Sequence, residues 1–346
     1  MRGARAWVGR FSGPADRASR LGEALDWLAV GSTLRGARVF VKPNLTWKVP
    51  TPGVTTSPAF IEMVIARLTD WTTHIAVGEA DGGYHAFNAH EAFAAHGLDR
   101  LRQRFGMDVV NLSEVEAGRF TASVGRREVA VELPRFLMEE VDVFVTLPVP
   151  KVHVMTGLSL GFKNQWGCQP GAMRLRNHPR FCEKVLAINA LVRPRLALYD
   201  GEHWLDGSGP LTGQPVRLDL LLAADGVGAG DAVASRIMGW PLSRVPHLRL
   251  ATRMSACPAS ADEVALNVPL LPFCTHRFRL RRAPVNWIAL AAFHSGLLTH
   301  ALYDSALAGP LHRVLYGIRR NRLVGHALYG RFGPPTSEGR RTVRGR

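Results

Sequence analysis

The chain has 346 residues, 47% of them apolar and 21% charged, the make-up of a globular protein with room for one large or two modest domains. No run of eighteen or more apolar residues occurs, and Met1-Arg-Gly-Ala-Arg-Ala-Trp7 lacks the apolar stretch and cleavage site of a secretory leader, so the expectation is a cytoplasmic protein without a membrane span. The formal net charge of +15 is uneven: residues 276–346 hold thirteen Arg, no Lys and two acids (+11), leaving +4 for the first 275 residues, so no nucleic-acid partner is expected from charge alone.

In chain order, residues 38–42 read as a β-branched strand ending at Pro43-Asn44. Ser57-Pro58 opens a helix, with Ser at the cap, Pro at the first turn and apolar residues at Phe60, Ile61, Val64, Ile65 and Leu68. Residues 74–78 form the next strand, followed by Glu79-Ala-Asp81-Gly-Gly83 and a helix over 89–96. Residues 107–112 are strand-like, 120–133 alternate around Gly125 as a hairpin, and 141–147 read as a buried strand. Further strands are expected at 196–199 and 218–222, with helices at 183–191 and 230–238. Alternation at this spacing predicts an α/β fold with a doubly wound, mostly parallel sheet over residues 1–250. A helical basic extension over 251–332 and a disordered tail over 333–346 would complete the chain.

Polar clusters stand after the predicted strands: Lys42-Pro-Asn44, Glu79-Ala-Asp81, Pro148-Val-Pro-Lys151-Val-His153, Asp200-Gly-Glu and Ala224-Asp225. Each is ordinary turn chemistry taken singly. Five together predict a cleft at the carboxyl edge of a parallel sheet, where ligands bind in open α/β folds. Arginine outnumbers lysine 38 to five, so a retained lysine is a candidate for a place that needs a compact, titratable ammonium. Three of the five are Lys42, Lys151 and Lys163, and the last two lie within one glycine-rich stretch, residues 151–167, together with His153 and Asn164.

Lys42, Asn44, Lys163 and Asn164 are therefore candidates to hold a small carboxylate or phosphate anion, with Lys151, His153 and His178 as acid–base groups. Burial and neighbouring positive charge would lower the pKa values of Lys151 and His153. A structural histidine bonded to backbone is the alternative for His153. Glu79, Asp81, Asp200, Asp225 and Asp231 could orient these groups or hold a divalent metal. Gly226-Val-Gly228-Ala-Gly230 is neither a dinucleotide nor a P-loop fingerprint, and the aspartates flanking it disfavour a bound phosphate. Cys168, Cys182, Cys257 and Cys274 show no C-x-x-C spacing, which argues against a zinc ribbon or an iron–sulfur cluster within this chain.

Eight ordered motifs resemble one family. They are Val-Lys42-Pro-Asn44, Gly78-Glu79, Pro148-x-x-Lys151-x-His153, Leu-Gly-Phe-Lys163-Asn164, Asn177-His178, Asp200-Gly201, Gly209-Pro210-x-x-Gly213 and the segment from Asp225 through Asp231 to Ala234. In order and spacing, over residues 36–245, they resemble the DUF362 family. The resemblance implies an α/β fold with no settled general activity, and members that carry an appended ferredoxin-like cluster domain. Its cysteines are absent here, and a family proline near Asp225 is replaced by Gly226 or Gly228.

The sequence thus points to an enzyme acting on a small anionic molecule, by isomerase- or racemase-type proton transfer or by metal-assisted chemistry. The alternatives are a non-catalytic protein that handles a metal or cofactor, and a membrane-peripheral protein whose C-terminal helices, from Trp287 to Arg320, meet anionic lipid near a lipid-soluble substrate.

Overall fold

A computed structural model of the chain describes residues 3–303 and 305. Its strands are β1 (Arg5–Arg10), β2 (Val39–Pro43), β3 (Ile75–Glu79), β4 (Asp108–Asn111), β5 (Ala117–Val124) and β6 (Arg127–Pro134), then β7 (Val143–Leu147), β8 (Lys151–His153), β9 (Gly157–Ser159), β10 (Leu196–Asp206), β11 (Gln214–Ala224) and β12 (Ala265–Leu266). Eight of them run β12-β1-β11-β10-β7-β2-β3-β4 across one sheet, with β8 beside the distal part of β10 and β9 beside β8. β5 and β6 form a separate hairpin. The block β10-β7-β2-β3-β4 is parallel throughout, whereas β11 runs antiparallel to both β10 and β1.

The apolar runs explain why the sheet is buried on both sides. In β2, Val39 and Val41 enter one core cluster and Phe40 the other; in β7, Val143 and Val145 oppose Phe144 in the same way. Helices Pro14–Trp27, Pro58–Leu68, Ala89–Ala95 and Leu98–Phe105 cover the first face, through Leu25, Phe60, Phe93 and Leu101 among others. Helices Phe181–Val192, Val227–Ile237 and Pro246–Arg253, with the β5–β6 hairpin, cover the second. Helices Pro58–Leu68 and Ala89–Ala95 are capped at their starts by short polar side chains. Ser57 Oγ accepts from the Phe60 amide at 3.3 Å, and Asn88 with Glu91 closes a capping box. The chain is mixed α/β with a large, mostly parallel sheet.

Two expectations are corrected. Because β11 is antiparallel, Ala224 lies opposite Ala197 near the start of β10, so Asp225 emerges at the amino edge, away from the ends of β2, β3 and β7. The boundary expected at residue 250 falls inside helix Pro246–Arg253, and the chain beyond that helix is first an irregular strap. Within it β12 extends the main sheet beside β1, the Asn267 amide both accepts from and donates to the Val8 backbone, and Phe273 and Phe278 enter the main core. Only then come helices Pro284–His294 and Gly296–Tyr303. The rest of the expected extension, residues 306–332 with Arg320, and the expected tail over 333–346 lie outside the described residues.

Candidate functional site

The ends of the parallel strands β2, β3 and β7 deliver Lys42 to Asn44, Glu79 and the Pro148–Pro150 turn to one edge. From there the β8–β9 hairpin leads into the helical turn Gly161–Asn164. A cavity of about 100 Å³ opens here, and its lining includes Asn44, Glu79, Lys151, Lys163, Asn164 and Arg174. Trp166 and Phe87 supply its apolar wall.

Among the described residues that line it, the one carboxylate is already engaged. Glu79 Oε2 accepts from Lys42 Nζ and from the Leu45 amide, and Oε1 accepts from the Ala80 amide at 3.1 Å. Gly167 lies against this pair; a Cβ there would come within 2.3 Å of Glu79 Oε1 and 3.1 Å of Lys42 Nζ. Lys151 Nζ donates to the Val54 carbonyl. Arg174 donates to the carbonyls of Asp81 and Gly171, at 2.7 and 3.3 Å. Lys163 has no hydrogen-bond acceptor among the described residues, and its Nζ stands over the Phe181 ring, 6.0 Å from the centroid. The Asn44 amide oxygen accepts from the Thr46 backbone at 3.3 Å, which leaves its NH2 group facing the cavity without a partner among the described residues.

Burial drives the titrations here, and neighbouring cations add to it. Lys163 is lowered to about 8 by burial and by Arg174. Lys151 is pushed well below its ordinary value by burial and by Lys163, with Glu79 opposing. His153 is held neutral by burial, with Lys163, Lys151, His178 and His247 adding to the effect. Its Nδ1 accepts from the Met155 and Thr156 amides at 3.1 and 3.4 Å, so the neutral ring carries its proton on Nε2 and can only donate there. His178 stacks on Trp166 and meets Phe293 of the C-terminal helices at 4.7 Å; burial, Lys163 and Arg174 lower it to about 3.

The position of Lys163 is set from beneath. Asp231 accepts from the Gly161 and Phe162 amides, at 2.6 and 3.0 Å, and from the Tyr199 hydroxyl at 2.6 Å. A Cβ at Gly161 would meet Tyr199 Oη at 2.6 Å, and one at Gly230 would strike the Tyr199 ring at 2.3 Å. The glycine run that opens helix Val227–Ile237 therefore lets that helix pack closely on β10. On the other side Asn164 donates to the Lys42 carbonyl and to Thr146 Oγ1, while Gln165 and Asn189 continue the net to the Phe162 carbonyl.

The structure gathers Lys42, Asn44, Glu79, Lys151, Lys163 and Asn164 at the cavity or directly behind it. It does not gather the other four carboxylates. Asp81 accepts from the Ala89 amide and from Asn111; Asp200 binds Arg17 and the Ser57 amide; Asp225 pairs with Arg5; Asp231 lies in the Tyr199 knot. Among the described residues no group of three His, Cys, Asp or Glu side chains is placed to hold a metal ion, so these five acids do not form the metal set read from the sequence.

Two residues escaped that reading. Arg174 was lost in a chain rich in arginine. His247 is fully buried against Phe181, with neither ring nitrogen hydrogen-bonded, and burial together with Lys163 lowers it to about 3. A lone histidine in a helix carries no sequence signal.

A family model described as a domain of unknown function, DUF362, matches residues 39–236. The thylakoid-associated protein sll1697 of Synechocystis is 27% identical over 236 residues, which cover 66% of this chain and 71% of that protein. Among solved structures, the lactate racemase apoprotein of Thermoanaerobacterium thermosaccharolyticum aligns at a TM-score of 0.45 and 14% identity, over 71% of this chain. A structural-genomics protein of Thermotoga maritima aligns at 0.33 and 13%, over 70%. The chain spans 58% and 61% of those two structures.

Proposed function

The chain belongs to the DUF362 family, and from that premise we propose that it is an enzyme that binds a small organic anion at the carboxyl edge of its sheet and acts on it by lysine-centred proton transfer. One observation carries this reading. Arg174 and Lys163 line a cavity whose single carboxylate is already neutralised by Lys42, so the site holds positive charge that no carboxylate among the described residues hydrogen-bonds. Partly buried cations left this way carry a desolvation cost, and an anionic ligand relieves it. Held at about 8, Lys163 exists in both protonation states near neutrality, the condition for a general acid–base group. His153 and His178, kept neutral by burial, serve as hydrogen-bond donors or proton relays and not as cations. The test is thermal unfolding at pH 7 with inorganic phosphate, pyruvate or succinate against chloride at equal ionic strength. Stabilisation of the wild type by at least one of them, absent in Lys163→Met, supports the reading. An identical response of both proteins to every anion sinks it.

A second reading, contact with a membrane surface, has its own observation. Trp287, Leu297 and Leu298 of the two C-terminal helices are exposed, 59%, 85% and 45% respectively, and Arg277, Arg279, Arg281 and Arg282 precede them. No helix among the described residues is long and apolar enough to cross a membrane, so the reading is of a surface contact; the Synechocystis relative is named as thylakoid-associated. Flotation with anionic against zwitterionic vesicles, for the full chain and for Trp287→Ser with Leu297→Ser, separates it. Equal flotation of both proteins removes it.

A further inference from the structure

The five lysines of the chain can be compared one by one. Lys42 is bound to Glu79 and to the Pro43 carbonyl, Lys48 to Glu91, Lys151 to the Val54 carbonyl, and Lys184 to the Asn177 side chain. Among the described residues Lys163 finds no acceptor, and it combines that with a place in the cavity wall. Its backbone is fixed on both sides, by Asp231 through the Gly161 and Phe162 amides and by the buried Asn164–Thr146 bond. An amine on a rigid mount, without an acceptor, beside two other cationic side chains, is arranged to attack and not to hold structure together.

We infer that Lys163 is a nucleophile that forms an imine with the carbonyl carbon of a 2-oxo acid, whose carboxylate is held by Arg174 and the Asn44 amide. This rests on the anion reading of the same cavity and narrows it to a substrate class, anions with a ketone or aldehyde next to the charge. The neutral Lys163 amine adds to the carbonyl to give a carbinolamine, the two amine protons and the carbonyl oxygen leave as water, and the C=N bond forms. No oxidant, reductant or third reactant enters. The protonated imine then acidifies the carbon beside it, which is where proton transfer would occur. The crowding of Lys163 by Arg174 and by burial favours its neutral form, as nucleophilic attack requires.

The full chain is incubated with pyruvate or glyoxylate and reduced with sodium borohydride, and the adduct is mapped by peptide mass spectrometry. The other four lysines serve as internal controls. The expected result is modification at Lys163 exceeding that at the half-exposed Lys48 by about tenfold or more, since each unit of lowered pKa raises the neutral amine fraction about tenfold. Lys163→Arg should lose the adduct and keep the thermal stabilisation by phosphate. If pyruvate or phosphate stabilises the wild type and yet labelling is absent or spread evenly over the lysines, the imine is overturned and the anion site stands. If no anion stabilises the protein and nothing labels, both readings fall together.

Discussion

Two clusters of polar groups, one fully buried and one at a cavity wall, meet on the short helical turn Gly161–Asn164 and end differently. Around Asp231 every partner is matched: one carboxylate accepts from two amides and one hydroxyl, and nothing is left over. Around Lys163 the donors outnumber the acceptors: an ammonium and an amide NH2 line the cavity without a partner among the described residues, beside a guanidinium held only by two carbonyls. Both clusters hold strongly shifted groups, so a shifted pKa does not separate scaffold from site. What separates them is leftover hydrogen-bonding capacity of one sign. The matched cluster is also the mount for the unmatched one, since it holds the backbone on which Lys163 stands.

The sharpest way to break that comparison is Asp231→Ala. It strands the Gly161 and Phe162 amides and the Tyr199 hydroxyl in the core, and at about 1–3 kcal/mol per unsatisfied group the expected loss in urea unfolding is at least about 3 kcal/mol. A midpoint equal to the wild type's would mean the knot holds nothing. Lys163→Met should do the reverse: unfolding free energy the same or higher, and phosphate affinity lower by about tenfold to a hundredfold, the worth of a charged hydrogen bond.

Two titrations sharpen the contrast. Phosphate affinity should fall as pH rises through about 8, where Lys163 loses its proton; a flat profile from pH 7 to 9 would move the binding charge elsewhere. Asp231 is raised by burial from 3.8 to about 7, so its contribution to stability is complete below 3.8 and is lost as pH rises through about 7. His178 and His247, lowered from 6.5 to about 3, contribute in the opposite sense, fully above 6.5 and less as pH falls toward about 3. The difference between wild type and Asp231→Asn in urea unfolding should therefore shift in favour of the variant as pH rises from 4 to 8, and a constant difference would contradict the burial of that carboxyl. The smallest effect belongs to Gly167→Ala. The ends of Glu79 and Lys42 can move to admit a methyl group, so the cost should be about 1 kcal/mol, measured by the same unfolding.

The strands of the parallel block were legible because each is a short β-branched run between turn residues, and the residues at their ends came with them. The direction of β11 was not legible. Its Leu-rich run is what burial on both faces demands of either orientation, and so Asp225 was assigned to the wrong edge. Asp200 was read as coming after a strand, yet β10 continues to Asp206, because pairing with β11 carries the strand past its apolar core. Lysine scarcity found Lys163; arginine abundance hid Arg174. The partner sets that distinguish Asp231 from Glu79 depend on contacts across about forty to seventy residues of chain, which no local pattern contains.

The sheet order also carries a consequence for how the chain comes together on the ribosome. Of the described strands β1 comes first in the chain, yet its neighbours are β11 and β12. Synthesis must pass residue 224 before β1 has any edge to join, whereas β2, β3 and β7 can assemble among themselves far sooner. Until then the growing chain carries an apolar ribbon, Ala6-Trp7-Val8, without its partner strands. That ribbon is the stretch a chaperone would shelter, and its docking waits on the β10–β11 pair whose outer edge it joins.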